Sequence, residues 1–441
     1  MGASSNKRIH IVTMGCAKNE VDSAHMAERL IEAGFTMVDD PRDADTIIVN
    51  TCSFIQAATE ESIDMVFQML GLDNVERGEA HVIVAGCMPA RYGEDLANSL
   101  EEVKTFVPCS KEDDIAQVVA DLFALDKGDD AKSTPFCCAQ TGQSLLSHGY
   151  PSAYVKISDG CDRFCSYCAI PYIRGRYHSF PYEQIRCEVA RQVDSGAREI
   201  VLIAQDTGRW GQDLPQTPTL AWLMGKLADE FSHVWFRVMY LQPEGITEEL
   251  LDCIKMHDNI ASYLDIPLQH VDAGILRAMN RRGSYEEYVS LVRWIRERVP
   301  GVTLRTTMIA GFPGESQEHF ELMCDFLEEV EFDYVGVFPY SREEGTRAAG
   351  LPGQVEESTR LERAQIVRDV ADAISEARIR ERIGLTMDVL VLGCEEDGQV
   401  YGRALCQAPE VDGVVYLESG TCGDMVKVTI VDTLMYEMEG E

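Results

Sequence analysis

The chain has 441 residues, 45% of them hydrophobic, with 74 acidic and 39 basic side chains, a formal net charge of -35 and fifteen cysteines. That length admits two or three domains with real cores. No apolar run reaches the roughly 18 residues of a transmembrane helix, and residues 1–7 lack a signal-peptide core, so no membrane association and a cytoplasmic location are expected. A field this negative repels phosphate backbones, so direct RNA binding is not expected. It favours a basic partner or serves solubility alone, and the cysteines of such a chain point to metal ligation rather than bridges.

Three early segments share one pattern, a β-branched apolar run ending in a cysteine: 9–16, 46–52 and 81–87. Their cysteines, Cys16, Cys52 and Cys87, are 36 and 35 residues apart, and a helix-like stretch such as 23–33 follows each run. Strand, turn and helix at this period predict βαβ units in a parallel sheet, whose strand C-terminal ends share one edge. Three thiols would then converge there. Residues 128–152 are polar and rich in Gly, Pro and Ser, which predicts a linker; the adjacent Cys137 and Cys138 lie in it.

From 153 the alternation resumes, with candidate strands at 153–158, 200–205, 234–239, 263–266, 303–309 and 333–337 and helical stretches such as 181–195 and 317–329. Six βα units predict an open (βα)6 partial barrel, smaller than the eight-unit form. A charged amphipathic helix at about 356–382 follows. Short strands at 386–393, 399–405, 413–418 and 425–431 with Gly-rich turns then predict a small OB-like β-barrel. The fold class is α/β, divided into an N-terminal domain at 8–127, the linker, a partial barrel at 153–381 and the terminal barrel at 382–441.

The strongest chemical signal is Cys161-Asp-Arg-Phe-Cys165-Ser-Tyr-Cys168, directly after a candidate strand. Three thiolates within eight residues can wrap one face of a cubane iron–sulfur cluster, whereas a zinc site would want a fourth ligand. The iron left without a protein ligand can chelate the amino and carboxylate groups of S-adenosylmethionine, and an electron then cleaves the sulfonium to a 5'-deoxyadenosyl radical. This C-x3-C-x2-C spacing is identified as the radical S-adenosylmethionine signature. Cys16, Cys52 and Cys87, each at a strand end, look like a second three-thiolate site. Singly, each would more often be a small core hydrophobe. The remaining cysteines, Cys109 among them, lack matching geometry.

Weaker motifs also end candidate strands. Gln205-Asp206-Thr207 and Pro267-Leu-Gln269-His270 face the expected mouth of the barrel, where Gln205, Asp206, Gln269 and His270 are candidate cofactor-binding residues; a structural histidine is an equal reading of His270. In Met308-Ile-Ala-Gly311-Phe-Pro-Gly314-Glu315 the two glycines are candidates to lie against adenosine, or form a plain turn; no lysine follows as a P-loop requires. Arg174 and Arg176, after the cysteine loop, are candidates to meet a carboxylate.

A three-cysteine N-terminal domain, a C-x3-C-x2-C barrel and a TRAM-type terminal barrel together resemble the methylthiotransferase family over about 8–438. The resemblance implies two [4Fe-4S] clusters, a radical one on Cys161, Cys165 and Cys168 and an auxiliary one on Cys16, Cys52 and Cys87. It also implies two S-adenosylmethionine molecules, one of them the source of the methyl group. An electron donor and a sulfur source are required, and the residues name neither. Replacing an unactivated C–H by C–S explains the need for radical chemistry, because no side chain has a pKa that could remove that proton.

One branch of the family, MiaB-like, modifies a tRNA adenosine; the other, RimO-like, modifies the β-carbon of an aspartate in small-subunit ribosomal protein twelve. Gly15-Cys-Ala-Lys-Asn-Glu-Val-Asp-Ser23, Gln205-Asp206-Thr207, Tyr263-Leu-Asp-Ile-Pro-Leu-Gln-His270 and Ala408-Pro-Glu-Val-Asp-Gly413 resemble the second branch. Leu241-Gln-Pro-Glu-Gly-Ile246 departs from it, since that branch more often carries aromatic residues there. Charge agrees: residues 382–441 hold three basic and twelve acidic side chains. A tRNA-gripping barrel should be basic, and an acidic one suits the ribosomal protein, free or in its subunit. The turn residues Glu395, Glu396, Asp397, Glu410, Asp412 and Glu418 are expected to be solvated or to steer that partner.

Overall fold

The three β-branched runs form the middle of a five-stranded parallel sheet. Arg8–Thr13, Thr46–Thr51 and His81–Gly86 lie side by side, with the short strands Thr36–Met37 and Thr105–Pro108 on the two edges. Ile47, Ile48, Val49, Ile83, Val84 and Ala85 have no exposure, as the near-continuous apolar runs of a sheet covered on both faces require. The register sets Thr13 beside Asn50 and Thr51 beside Gly86, so the central strands end level. The computed structural model describes residues 7–125 and 151–441, in two compact units: one of 7–125 with Ala169–Arg176, the other of 151–168 with 177–441. Cys137, Cys138 and the expected linker, except Pro151 and Ser152, lie outside the described residues.

The first helix, Ala17–Glu32, starts six residues earlier than its apolar periodicity predicts. Its first turn is polar and buried: Asn19 is fully enclosed and donates from Nδ2 to the carbonyls of Met14 and Thr51. The helix therefore opens on side chains that tie strand ends together.

In the second unit six parallel strands run Ser152–Lys156, Glu199–Ile203, Trp235–Val238, Tyr263–Gln269, Thr303–Ala310 and Tyr334–Pro339. They pair as two three-stranded sheets linked by a bridge from Phe236 to Ile260, which is an open partial barrel with helices between its strands. The helices Tyr182–Asp194 and Gln317–Val330 fall where the 3.6-residue period put them.

The long helix Glu357–Arg380 leads to a closed barrel of Thr386–Cys394, Val400–Ala404, Val415–Leu417, Met425–Leu434 and Glu437–Gly440. Its last strand has no counterpart in the sequence reading, because a four-residue strand of acidic, methionine and glycine residues carries no alternation signal. Buried ions join this barrel to the parallel strands. Glu199, 1% exposed, pairs with Arg237 at 2.9 Å and with Arg403. Asp412 is not a solvated turn residue: it has no exposure, accepts from the Tyr263 hydroxyl at 2.5 Å and the Ala408 N–H at 2.8 Å, and lies 3.5 Å from Arg305. Glu395, Glu396, Asp397, Glu410 and Glu418 are exposed.

Candidate metal centres and active-site cavity

In the first unit Cys16 precedes the helix Ala17–Glu32, Cys52 directly follows the strand Thr46–Thr51, and Cys87 opens the helix Cys87–Ser99. All three stand at the C-terminal ends of the central strands. Gly15, at φ +91°, permits the close approach: a Cβ there would lie 2.4 Å from the Cβ of Cys52 and 2.7 Å from its Sγ. Gly86, at φ +92°, is confined in the same way by the Asn50 side chain. Cys52 and Cys87 are buried and Cys16 is exposed.

Burial pushes the Cys52 thiol up to about 11. Cys87 shifts downward instead, first because the Cys109 thiol donates to it at 3.9 Å and further because Arg174 stands 3.9 Å away. Cys109 is raised in turn by the same hydrogen bond. Sequence reasoning passed over Cys109, which lies 22 residues after Cys87 and so breaks the period of 35. The signal available was its place after Thr105–Pro108, a fourth strand ending in cysteine.

Arg174 is engaged within the protein. Its Nη2 donates to Asp22 and Asn19, both at 2.8 Å, with the arginine side chain 3% exposed. It is a buried cation held beside the thiol of Cys87. Arg176 is exposed.

In the second unit the loop carrying Cys161, Cys165 and Cys168 follows the strand Ser152–Lys156 and is pinned along its length. Phe164 takes a left-handed φ of +48°, and Asn280 donates from Nδ2 to its carbonyl at 3.0 Å and to that of Arg163 at 2.9 Å. Ser166 donates from its N–H to Met279 and from its hydroxyl to Ala278. Arg281 Nη1 is 3.9 Å from the Cys165 sulfur. Burial pushes the Cys161 thiol up to about 11.

Every described cysteine is a free thiol. Among the described residues no three Cys, His or carboxylate groups close around a single metal ion. Two sets of three soft thiols suit iron–sulfur clusters, in which each thiolate meets a different iron, whereas a zinc site would want a fourth ligand.

Beside Cys165 lies a cavity of about 650 Å³. Arg163, Arg209, Arg281, Arg282 and Glu244 line it, together with the touching glycines Gly208 and Gly245, where a Cβ on either would come within 2.7 Å of the other's Cα.

None of the six candidate cofactor residues is among those lining the cavity. Asp206 is fully buried, raised by that burial, and pairs at 2.6 Å with Arg163, which it orients. Gln205 donates to Asp159 at 3.0 Å, while its Oε1 is buried without a partner. Gln269 is buried at φ +73°.

His270 has no exposure; its Nδ1 accepts from the N–H groups of Val271 and Asp272, and its Nε2 lies 3.5 Å from Glu315. Its ring is enclosed by the protein. Gly311 donates to Glu315 at 2.9 Å and Gly314 to the Gly353 carbonyl at 2.8 Å, so both N–H groups are engaged within the protein.

Comparison with known proteins covers the same regions. Residues 8–108 match the model described as Uncharacterized protein family UPF0004, 155–327 the Radical SAM superfamily and 383–441 the TRAM domain. The chain is 40% identical to the ribosomal protein uS12 methylthiotransferase RimO of Geobacter sulfurreducens, covering 100% of this chain and 99% of that protein. It is also 40% identical to the RimO of Syntrophus aciditrophicus, over 98% of each.

Among solved structures, the radical S-adenosylmethionine methyltransferase TsrM from Kitasatospora setae aligns with a TM-score of 0.55 at 14% identity, covering 76% of this chain and 74% of that one. The cobalamin-dependent radical enzyme OxsB aligns with a TM-score of 0.52 at 13% identity, over 83% and 56%. Both share the fold. The chain belongs to the RimO family of radical S-adenosylmethionine methylthiotransferases, enzymes that work with S-adenosylmethionine and [4Fe-4S] clusters.

Proposed function

We propose that this enzyme attaches a methylthio group to the β-carbon of an aspartate in ribosomal protein uS12, in the cytoplasm. The observation that carries the reading is identity of 40% across essentially the full length to enzymes named for that protein. The net charge of the terminal barrel supports it, because three basic against twelve acidic residues suit a basic polypeptide and repel tRNA. We assign the N-terminal domain to 8–127, the linker to 128–152, the radical domain to 153–381 and the TRAM domain to 382–441.

Cys161, Cys165 and Cys168 hold the radical cluster, and Cys16, Cys52 and Cys87 the auxiliary one. When bound, the clusters supply the electron for S-adenosylmethionine cleavage and a site for the sulfur to be transferred. The chain's own residues position and enclose. Arg281 sets a cation against the Cys165 sulfur, Asp206 fixes Arg163 in the cavity wall, and the touching Gly208 and Gly245 shape that wall from bare backbone. The test is mass spectrometry of ribosomal proteins and tRNA nucleosides from cells with and without the gene. Loss of a methylthio mark from uS12 supports the reading, and its loss from tRNA alone replaces it with the MiaB-like one.

A further inference from the structure

The chain as a whole carries -35, yet the cavity beside Cys165 reverses that sign, with four arginines against Asp162 and Glu244. Two of the four are already engaged. Arg163 pairs with Asp206 at 2.6 Å and Glu244 at 3.2 Å, and Arg281 donates to the Pro267 carbonyl at 2.6 Å while facing Cys165.

The other two are held at the root and open at the head. Arg209 ends the turn Thr207–Arg209, donates only from Nε, to Gln212 at 3.3 Å, and lays its guanidinium over the Tyr177 ring, 5.0 Å from the centroid. Arg282 fixes its backbone: its carbonyl accepts the Tyr288 hydroxyl at 2.8 Å, and Gly283 beside it, at φ +133°, admits no side chain because a Cβ would meet the Tyr288 ring at 2.3 Å. Neither guanidinium has a carboxylate partner among the described residues.

We propose that Arg209 and Arg282 grip the side-chain carboxylate of the residue to be modified, and so select an acidic residue within a basic polypeptide. The proposal rests on the substrate reading above and adds the residues that choose the modified position. An arginine head presents paired donors matched to a carboxylate. The acidic exterior decides between the anions such a pair could hold: it draws in a basic polypeptide and repels a phosphodiester chain, while the cavity requires one negative group within that polypeptide. An uncharged isostere in the cavity would leave the donors unpaired, which is how a polar site rejects analogues strongly.

The experiment uses reconstituted holoenzyme with basic peptides that differ only at a central residue, Asp or Asn, and the variants R282Q, R282K and R209Q. Measured are KM and kcat for methylthiolation, the peptide's Asp-over-Asn preference and the dissociation constant for S-adenosylmethionine. R282Q and R209Q should each raise KM for the Asp peptide about 10- to 100-fold, the size of a lost charge-assisted hydrogen bond, and shrink the Asp-over-Asn ratio. R282K should recover part of both.

Variants that keep the parent's KM and ratio overturn the proposal, as does a loss of S-adenosylmethionine affinity in place of peptide affinity. If the parent modifies neither the peptide nor intact uS12, the substrate reading fails first and the proposal falls with it. If the parent modifies uS12 and the variants are indifferent, only the carboxylate grip fails.

Discussion

The two thiol sites use the same three ligands and are assembled in opposite ways. At the radical loop, Cys161, Cys165 and Cys168 lie within eight residues, and the geometry is set by one left-handed residue, Phe164, and by hydrogen bonds from Asn280 and Ser166. At the auxiliary site Cys16, Cys52 and Cys87 span 72 residues of sequence and reach one sheet edge only because three parallel strands end level. The loop needs local conformation, whereas the sheet needs its whole register and two glycines at its turns. The charge settings differ as well: Arg174, buried against Asp22 in the first unit, stands beside Cys87, while Arg281 faces Cys165 in the second. A site made by topology should be more vulnerable to changes far from its ligands than one made by a loop.

The largest test removes each set of ligands. Reconstituted protein should bind about eight irons, and the Ala triple variant at either Cys161, Cys165 and Cys168 or Cys16, Cys52 and Cys87 about four. The loop variant should form no 5'-deoxyadenosine; the sheet variant should still cleave S-adenosylmethionine and transfer no methylthio group. Full iron content in the second triple variant would dissolve the comparison, since there would be no sheet-built cluster.

Arg174→Ala comes next. It removes one partner of a buried ion pair, which costs about 3–5 kcal/mol. Thermal unfolding should show the N-terminal unit destabilised, with auxiliary iron lost and radical-loop iron kept. Gly15→Ala acts on the same site through the backbone. A φ of +91° costs a side chain roughly 1–2 kcal/mol before its Cβ meets Cys52. Iron titration of this variant should again show loss confined to the auxiliary cluster; equal loss at both sites would mean the two are not independently built.

A smaller effect separates the thiols by pH. In metal-free protein Cys87, lowered by Cys109 and Arg174, should be alkylated at lower pH than Cys161, which burial holds at about 11, because the thiolate is the reactive form. Cys109→Ala, which removes the donor, should move the Cys87 profile upward, read by peptide mass mapping, and should keep the full iron content.

The smallest effect lies outside both sites. Reversing the exposed Glu395, Glu396 and Asp397 to Lys should slow association with uS12 by less than about tenfold, with little change in dissociation, and the difference should vanish near 1 M salt, where the Debye length is about 3 Å. Stopped-flow binding at two salt concentrations checks it.

Much of this was legible in the residues. Cys161, Cys165 and Cys168 declare themselves because their spacing is local, and the β-branched runs before Cys52 and Cys87 mark strands because buried parallel strands tolerate little else. The same signals located all six strands of the partial barrel and the helices Tyr182–Asp194, Gln317–Val330 and Glu357–Arg380. What the sequence alone determined was therefore everything carried by short-range pattern: element type, the loop motif, and the sign of the charge on the terminal barrel.

Only the tertiary structure decided which polar residues are enclosed. It drew Arg174 to Asp22, buried Asp412 under Tyr263 and Arg305, enclosed His270 and brought Cys109 to Cys87. A charged side chain reads the same in sequence whether it faces water or a partner from a distant strand; burial is set by contacts of high sequence separation, and the cost of burying a charge is met only where the fold supplies its counterion.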